Sequence, residues 1–239
     1  MGRSAGTEAI GSIMNPAIII PSRTFSNLAA CVNAIRRHEP DMRIVVVSDD
    51  ISVTFPGRWE RDHDPIHIVS GMKPFVFARN INIGIRKAVE VYDARDFILL
   101  NDDALLQTPG GFTALAQDAE ERPEYGVISA VTNAAGNPNQ YSRGSGFRDE
   151  PKMVCFVCAL ITWESICEAG YLDERFTAYG WDDNDYCRRV REAGLKLGVS
   201  ERCFVDHLSL RSTFRGDPRA GADITAGAEI YRAKWGDLA

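Results

Sequence analysis

Two apolar runs decide the fold: Ala17-Ile18-Ile19-Ile20-Pro21 and Arg43-Ile44-Val45-Val46-Val47-Ser48. Unbroken runs of β-branched residues, without polar alternation, predict strands buried on both faces. Between them Ser22, Thr24 and Ser26 offer capping hydroxyls, and Leu28, Cys31, Val32 and Ile35 recur at helical spacing. Strand, helix, strand in this order implies a parallel sheet with helices on its faces.

The alternation continues outward. Ile66-His67-Ile68-Val69 reads as a short third strand, and Asn80 to Tyr92 as a helix with Ile81, Ile85, Ala88 and Val89 on one side. Asp96-Phe97-Ile98-Leu99-Leu100 is a buried strand that runs directly into Asn101-Asp102-Asp103. A helix is expected over Phe112 to Glu121, a strand over Tyr125 to Val131 and another over Val154 to Thr162. Trp163 to Ala169 reads as a short helix closed by Gly170, and Asp182 to Ala193 as a helix ended by Gly194. Lys196 to Val199 and Cys203 to Asp206 are strand-like, and a tail with Arg211, Arg215 and Arg219 follows His207. Asn133 to Asp149 is a long loop rich in Gly, Asn, Ser and Arg, and long loops in compact domains are often functional. Residues 1–15 are small and polar and read as an arm; 16–239, free of repeats and linkers, read as one domain.

A chain of 239 residues with 45% hydrophobic and 25% charged side chains is globular rather than disordered. A net charge of −6 argues against a general nucleic-acid coat. The longest apolar run, Val154 to Trp163, is about half the roughly 20 residues a bilayer requires. No secretory h-region precedes Cys31, Cys155, Cys158, Cys167, Cys187 and Cys203, so a cytoplasmic chain with reduced thiols is expected. Cys155 and Cys158 have CxxC spacing, but inside the apolar run VCFVCALIT they read as core residues.

In open α/β sheets ligands bind beyond the carboxyl ends of the strands. Three acidic groups follow hydrophobic segments here: Asp49-Asp50, Asp102-Asp103 and Asp182-Asp183 with Asp185. Any one of them is an ordinary turn or cap. Three able to meet at one sheet edge repel one another unless a cation sits among them. Hard oxygen ligands suit Mg²⁺ or Mn²⁺, ions that favour phosphate substrates. Pro21-Ser22-Arg23-Thr24 stands where a GxGxxG turn would follow the first strand, and no GxxxxGK[ST] occurs. A Rossmann dehydrogenase and a P-loop NTPase are both disfavoured, and phosphate must be neutralised by metal and Arg.

In this order the segments resemble a GT-A fold, family 2 type glycosyltransferase, particularly its bacterial rhamnosyltransferase-like branch, from about Ala17 to His207. Ala17 to Ser22 is similar to that family's opening strand, and Val47-Ser48-Asp49-Asp50 to its nucleotide-contacting strand end. Phe77-Ala78 with Asn82-Ile83-Gly84 resembles the F-A-x-x-x-N-x-G helix start, and Leu99-Leu100-Asn101-Asp102-Asp103 stands at the D-x-D-like motif. Cys158-Ala159-Leu160-Ile161 and Gly170-Tyr171-Leu172-Asp173-Glu174-Arg175-Phe176 resemble the acceptor-side segment. Tyr179-Gly180-Trp181-Asp182-Asp183-Asn184-Asp185 with Arg188 or Arg189 resembles Y-x-E-D-x-D-x-x-x-R, with Asp182 in place of the usual Glu. His207 matches a late metal-ligand His.

The resemblance implies a mostly parallel Rossmann-like sheet flanked by helices, and an inverting, Mn²⁺- or Mg²⁺-dependent transfer. The sugar would pass from a nucleoside diphosphate sugar to an acceptor hydroxyl on a glycan, a lipid-linked glycan or a modified nucleic-acid base. It makes Asp103 the first metal ligand and His207 the second. Asp102, Asn82, Ser22, Arg23 and Asp49 or Asp50 fall on the donor side, with Arg211 and Arg215 as a clamp over the diphosphate. Asp183 is the expected general base, Asp182 the runner-up, and Trp181 and Asp185 the acceptor contacts. A nucleotidyltransferase acting on sugar phosphates would use the same ion chemistry but a Gly-rich basic turn after the first strand. A non-catalytic nucleotide-sugar binding protein would have no use for the Asp182-Asp183 pair.

Overall fold

The computed structural model describes residues 16–49, 66–144, 146–177, 179–210, 218 and 220–237. The arm 1–15 and the donor-side candidates Asp50, Arg211 and Arg215 lie outside the described residues.

The opening unit is as expected: β1 (Ala17–Ser22), α1 (Phe25–His38) and β2 (Arg43–Ser48), followed by β3 (Ile66–Ser70), α2 (Phe77–Tyr92) and β4 (Phe97–Leu100). These four strands are parallel, in the order β3-β2-β1-β4. Every residue of β1 and β4 is buried, as unbroken apolar runs require. Gly84 lets α2 settle against the sheet, because a Cβ there would stand 2.3 Å from Ile19 Cγ2 and 3.1 Å from Val47 Cγ2.

Then come β5 (Leu105–Leu106), α3 (Gly111–Glu121), β6 (Tyr125–Thr132), β7 (Phe147–Asp149), β8 (Cys158–Ile161), α4 (Trp163–Ala169), α5 (Asp182–Glu192), β9 (Lys196–Asp206) and α6 (Ala220–Trp235). β8 lies antiparallel between β4 and β6. Two reversals restore the direction, so β6 and its parallel partner β9 end at the same sheet edge as β1, β2 and β4. That edge gathers the residues after β4 and those after β9, about a hundred positions apart in the chain. β5 and β7 add short antiparallel pairs to β9, so the sheet is largely parallel with antiparallel pairs. One apolar cluster fills each face of the sheet.

Four expectations change. Of Val154 to Thr162 only Cys158–Ile161 is strand. The backbone just before it is held elsewhere: the Cys155 N–H donates to Gln140 Oε1 at 2.7 Å, and Val157 O accepts the Asn101 N–H at 3.0 Å. The two strand-like stretches after Lys196 are one strand with a bulge, where Ser200 pairs Ala130 and Phe204 pairs Val131. The loop after Asn133 contains a 3₁₀ turn, Pro138–Gln140, and the edge strand β7. The tail carries α6, whose buried stripe is only Gly227 and Tyr231, too thin for periodicity to reveal. Among the described residues no helix is long and apolar enough to cross a membrane, and all six cysteines are unpaired.

Candidate active site

The shared strand edge opens into a cleft of about 1380 Å³. Its walls include Arg23, Asp49, Asp102, Asp103, Trp181, Asp182, Asp183 and His207, eight of the residues singled out in the sequence. The geometry divides them into three groups.

Asp102 and Asp103, neighbours beyond β4, face different partners. Asp102 Oδ2 accepts the Ser22 hydroxyl at 2.6 Å, and Ser22 Oγ in turn accepts the Thr24 N–H at 3.3 Å. It thereby ties the exit of β4 to the turn after β1. Burial raises its pKa to about 6 despite the Ser22 hydrogen bond. Asp103 turns instead to His207, with Oδ1 3.0 Å from Nε2. The other ring nitrogen, Nδ1, lies 2.7 Å from Ala134 O, and beside a carbonyl it must carry its proton and donate. Neutral His207 therefore aims the bare lone pair of Nε2 at a carboxylate oxygen. Two lone pairs at that distance repel unless a proton or a cation lies between them. An imidazole fixed by a second-shell carbonyl beside a carboxylate is a donor set that suits a divalent ion. Among the described residues no third His, Cys, Asp or Glu joins the pair.

At the end of β2, Asp49 Oδ1 accepts Asn80 Nδ2 at 3.0 Å, and Gly71 makes room for it, since a Cβ there would stand 2.4 Å from Asp49 Oδ1. Desolvation raises the Asp49 pKa, while Asn80, Arg23 and Lys73 pull it back. Arg23 is exposed and lies over the Phe75 ring, 5.4 Å from its centroid. Lys73 and Phe75 also line the cleft, yet the sequence reading passed over them because they stand in a connecting loop without periodicity.

Also lining the cleft, Gly180 (φ 86°) and Trp181 (φ 73°) adopt left-handed backbone and turn the chain into α5. The turn presents Asp182 and Asp183 at the helix N-terminus. The Asp182 side chain is buried. Asp183 Oδ1 takes Asn184 N–H at 2.8 Å. Burial drives both pKa values up, and the Asp183 charge lifts Asp182 further. The helix N-terminus alone would lower them; desolvation wins.

Two sequence candidates are elsewhere. Asn82 is buried, with Nδ2 donating to Leu172 O and Glu174 Oε1, both at 2.9 Å, and Oδ1 accepting Leu172 N–H at 3.1 Å. It pins the segment after α4 to α2 rather than touching a donor. Asp185 is fully buried one turn below the cleft, against Lys234 Nζ (2.6 Å), Arg189 Nε (2.9 Å) and Trp235 Nε1 (2.9 Å). It anchors α6 onto α5 rather than meeting an acceptor. The Arg of the D-x-x-x-R spacing is thus Arg189, while Arg188 pairs with Glu192 and Asp237. Of the CxxC pair, Cys158 is core as expected, but Cys155 lines the cleft. Asp223 and Ile224 of α6 line it too.

By sequence the chain matches no family model and no curated protein. Solved structures resemble it in shape. The crystal structure of GalNAc-T7 with UDP, GalNAc and Mn²⁺ superposes with a TM-score of 0.68 at 12% identity, over 92% of this chain and 48% of that one. S. aureus TarS gives 0.60 at 12% identity over 81% of this chain and 36% of its own, and TarS 1-349 gives 0.60 at 12% over 93% and 72%. The chain spans about half the length of the first and about a third of the second. At such identity the likeness concerns fold, and none of these structures singles out the rhamnosyltransferase-like branch. The fold of this chain is the GT-A type: a single mixed α/β sheet, largely parallel and flanked by helices.

Proposed function

We propose that this chain is a metal-dependent inverting glycosyltransferase that takes a sugar from a nucleoside diphosphate donor to an acceptor hydroxyl. The observation that carries it is one cleft lined by both the Asp103–His207 pair and the Asp182–Asp183 pair. The GT-A fold and the UDP and Mn²⁺ of the GalNAc-T7 structure support the same reading.

Asp103 and His207 are the residues that would hold Mn²⁺ or Mg²⁺. Such an ion, when bound, offsets the charge that builds on the diphosphate leaving group. Asp49, Arg23 and Phe75 line the end of the cleft where a nucleobase fits, with Asp49 able to accept a base N–H and Phe75 offering a ring face. Asp183 takes the proton of the acceptor hydroxyl as its oxygen bonds to the anomeric carbon. The bond from that carbon to the diphosphate oxygen breaks, and its electron pair leaves with the diphosphate. Attack from the opposite face inverts the centre. A base with a raised pKa, still ionised near neutrality, is a better proton acceptor than an ordinary carboxylate. Residues 16–239 act as one catalytic domain in this reading.

The test is calorimetric titration of UDP with Mn²⁺ against a chelated control, alongside a screen of nucleotide sugars for release of nucleoside diphosphate. Asp103→Ala and His207→Ala should abolish the Mn²⁺-dependent part of UDP binding. Asp183→Asn should keep UDP·Mn²⁺ affinity within about twofold while turnover falls by about 10²–10⁴. Equal UDP affinity with and without chelator would sink the metal role, and unchanged turnover in Asp183→Asn would remove it as the base.

A further inference from the structure

Trp181 stands in a conformation that its side chain disfavours. Its φ of 73° is left-handed, and among the described residues Asp93 is the one other non-glycine with a positive φ. A short polar side chain such as that of Asp tolerates this region, whereas a bulky one is a strained outlier there. Such strain persists only where the surroundings over-determine it. Trp181 directly precedes Asp182 and Asp183, and its carbonyl closes the first turn of α5 by accepting the Asp185 N–H at 2.9 Å.

The surroundings are supplied by α6. Ile224, Gly227 and Tyr231, spaced to share one face of that helix, all meet the turn before α5. A Cβ at Gly180 would stand 3.9 Å from Ile224 Cγ1. A Cβ at Gly227 would stand 2.6 Å from Gly180 O, 3.3 Å from Tyr179 O and 3.0 Å from Trp181 Cδ1. The Tyr231 and Trp181 ring centroids are 5.2 Å apart. Glycine inside a helix weakens it, so its presence at 227 answers to the close approach: the helix backbone lies directly against two carbonyls of the turn. Further along α6, Lys234 and Trp235 fasten the helix to Asp185 of α5. The turn is thus held between the helix it leads into and the helix that crosses it.

We propose that Gly227 and Tyr231 are positioning residues: α6 is a brace that holds Trp181 in its left-handed conformation and so fixes where Asp182 and Asp183 enter the cleft. Once the brace is lifted, Trp181 relaxes towards negative φ, and a backbone rotation there re-aims the two residues that follow it. Both positioning residues are buried, and neither is among the described residues that line the cleft, so they act through the turn rather than on a substrate. The inference rests on the reading of Asp183 as the base for its effect on turnover, but not for the hold on the turn itself.

The experiment compares two glycines of one helix in the full chain. A Cβ at Gly221 would meet open space, so Gly221→Ala is the matched control. Gly227→Ala should speed hydrogen exchange of the Asp185 amide, which reports the Trp181 carbonyl, by about tenfold. Turnover should fall by about 10- to 100-fold, with UDP·Mn²⁺ affinity held within about twofold. Gly221→Ala should match the parent in all three. If Gly227→Ala does not fold, Tyr231→Leu, which stays apolar but loses the ring face against Trp181, is measured in its place with the same expectations. Parent-level exchange at Asp185 overturns the proposal. So does faster exchange that spreads to β1 and β2 with loss of UDP·Mn²⁺ binding, the mark of general loosening, and so does unchanged turnover in an enzyme that Asp183→Asn inactivates. The exchange reads the turn whether or not a sugar is transferred. If Asp183→Asn keeps full turnover while Gly227→Ala still frees the Asp185 amide, the brace stands and the assigned role of Asp183 fails.

Discussion

The two halves of the sheet are held by different physics. In β2-β1-β4 with α1 and α2, strands whose central residues are apolar stack under helices, and burial of Ile, Val and Leu does the work. In β8-β6-β9 with α5 and α6, the decisive contacts are buried polar pins: Asn82 on Leu172, Gln140 on Cys155, Asp185 on Lys234 and Arg189. The first half carries the donor-side residues at strand ends, where any buried parallel strand would put them. The second half carries the acid pair, which must be aimed, and directional bonds aim better than apolar contact does.

The sharpest way to break this contrast is Asp185→Ala. It removes the fully buried carboxylate that faces Lys234, Arg189 and the Trp235 indole, leaving Arg189 without its carboxylate and Lys234 with Asp173 alone. Loss of one member of a buried ion pair costs about 3–5 kcal/mol. Hydrogen exchange should show α5 and α6 opening, with β1 and β2 as protected as before. Equal loosening of both halves would mean that the sheet is one cooperative unit and the contrast is only descriptive.

Next in size is Gly84→Ala, which strikes the apolar half. Its Cβ would meet Ile19 and Val47, both buried and neither able to swing away, so α2 must lift off the sheet. Overpacking of this kind costs about 1–3 kcal/mol. Chemical denaturation should register it as a lower midpoint, with UDP·Mn²⁺ binding weakened through Asn80, at the start of the same helix, and the Asp49 carboxylate it bonds. Asn82→Ala, also on α2, is comparable or somewhat smaller: it strands the N–H and carbonyl of Leu172, at about 1–3 kcal/mol. Here turnover should fall more than donor binding, because Leu172 belongs to the acid-pair side. A parallel loss of both would return Asn82 to the donor role that the sequence suggested.

The same contrast explains what the sequence disclosed. Apolar runs and helical spacing are local signals, so β1, β2, β4, α1 and α2 were legible, as was the convergence of Asp49, Asp102-Asp103 and Asp182-Asp183 on one edge. The pins are not local. Asn82 meets Leu172 ninety positions on, and Asp185 meets Lys234 forty-nine on, and no periodicity encodes such a pair. Both side chains were therefore read as ligand contacts, since a polar residue within a motif looks the same whether it faces a substrate or a neighbouring backbone. Asp102 and Asp103 show how fine the division is. Adjacent and chemically alike, they separate because one points at the Ser22 turn and the other at the histidine just after β9. Helix α6 escaped notice for the opposite reason: it is locally bland, and its docking depends on the polar anchor at its far end.

The smallest expected effect concerns the acid pair itself, and it has the opposite sign. Asp182 is buried with its pKa raised by desolvation and by the Asp183 charge. In the unfolded chain it ionises near 3.9, so between that value and its raised folded value the native state binds the extra proton. Stability from this group is then fully present below the unfolded pKa and is lost as pH rises through the folded one. Asp182→Asn removes the penalty. Its melting temperature should match the parent at pH 4 and exceed it at pH 8, by an amount on the order of 1 kcal/mol. Thermal melts across that range measure the difference directly. A gap that stayed constant with pH would mean that Asp182 is ordinarily ionised in the fold, with the helix N-terminus outweighing burial. A gap that grows with pH would mean that the half of the molecule built on polar pins holds its carboxylates in place against their own preference, which is the condition a poised base requires.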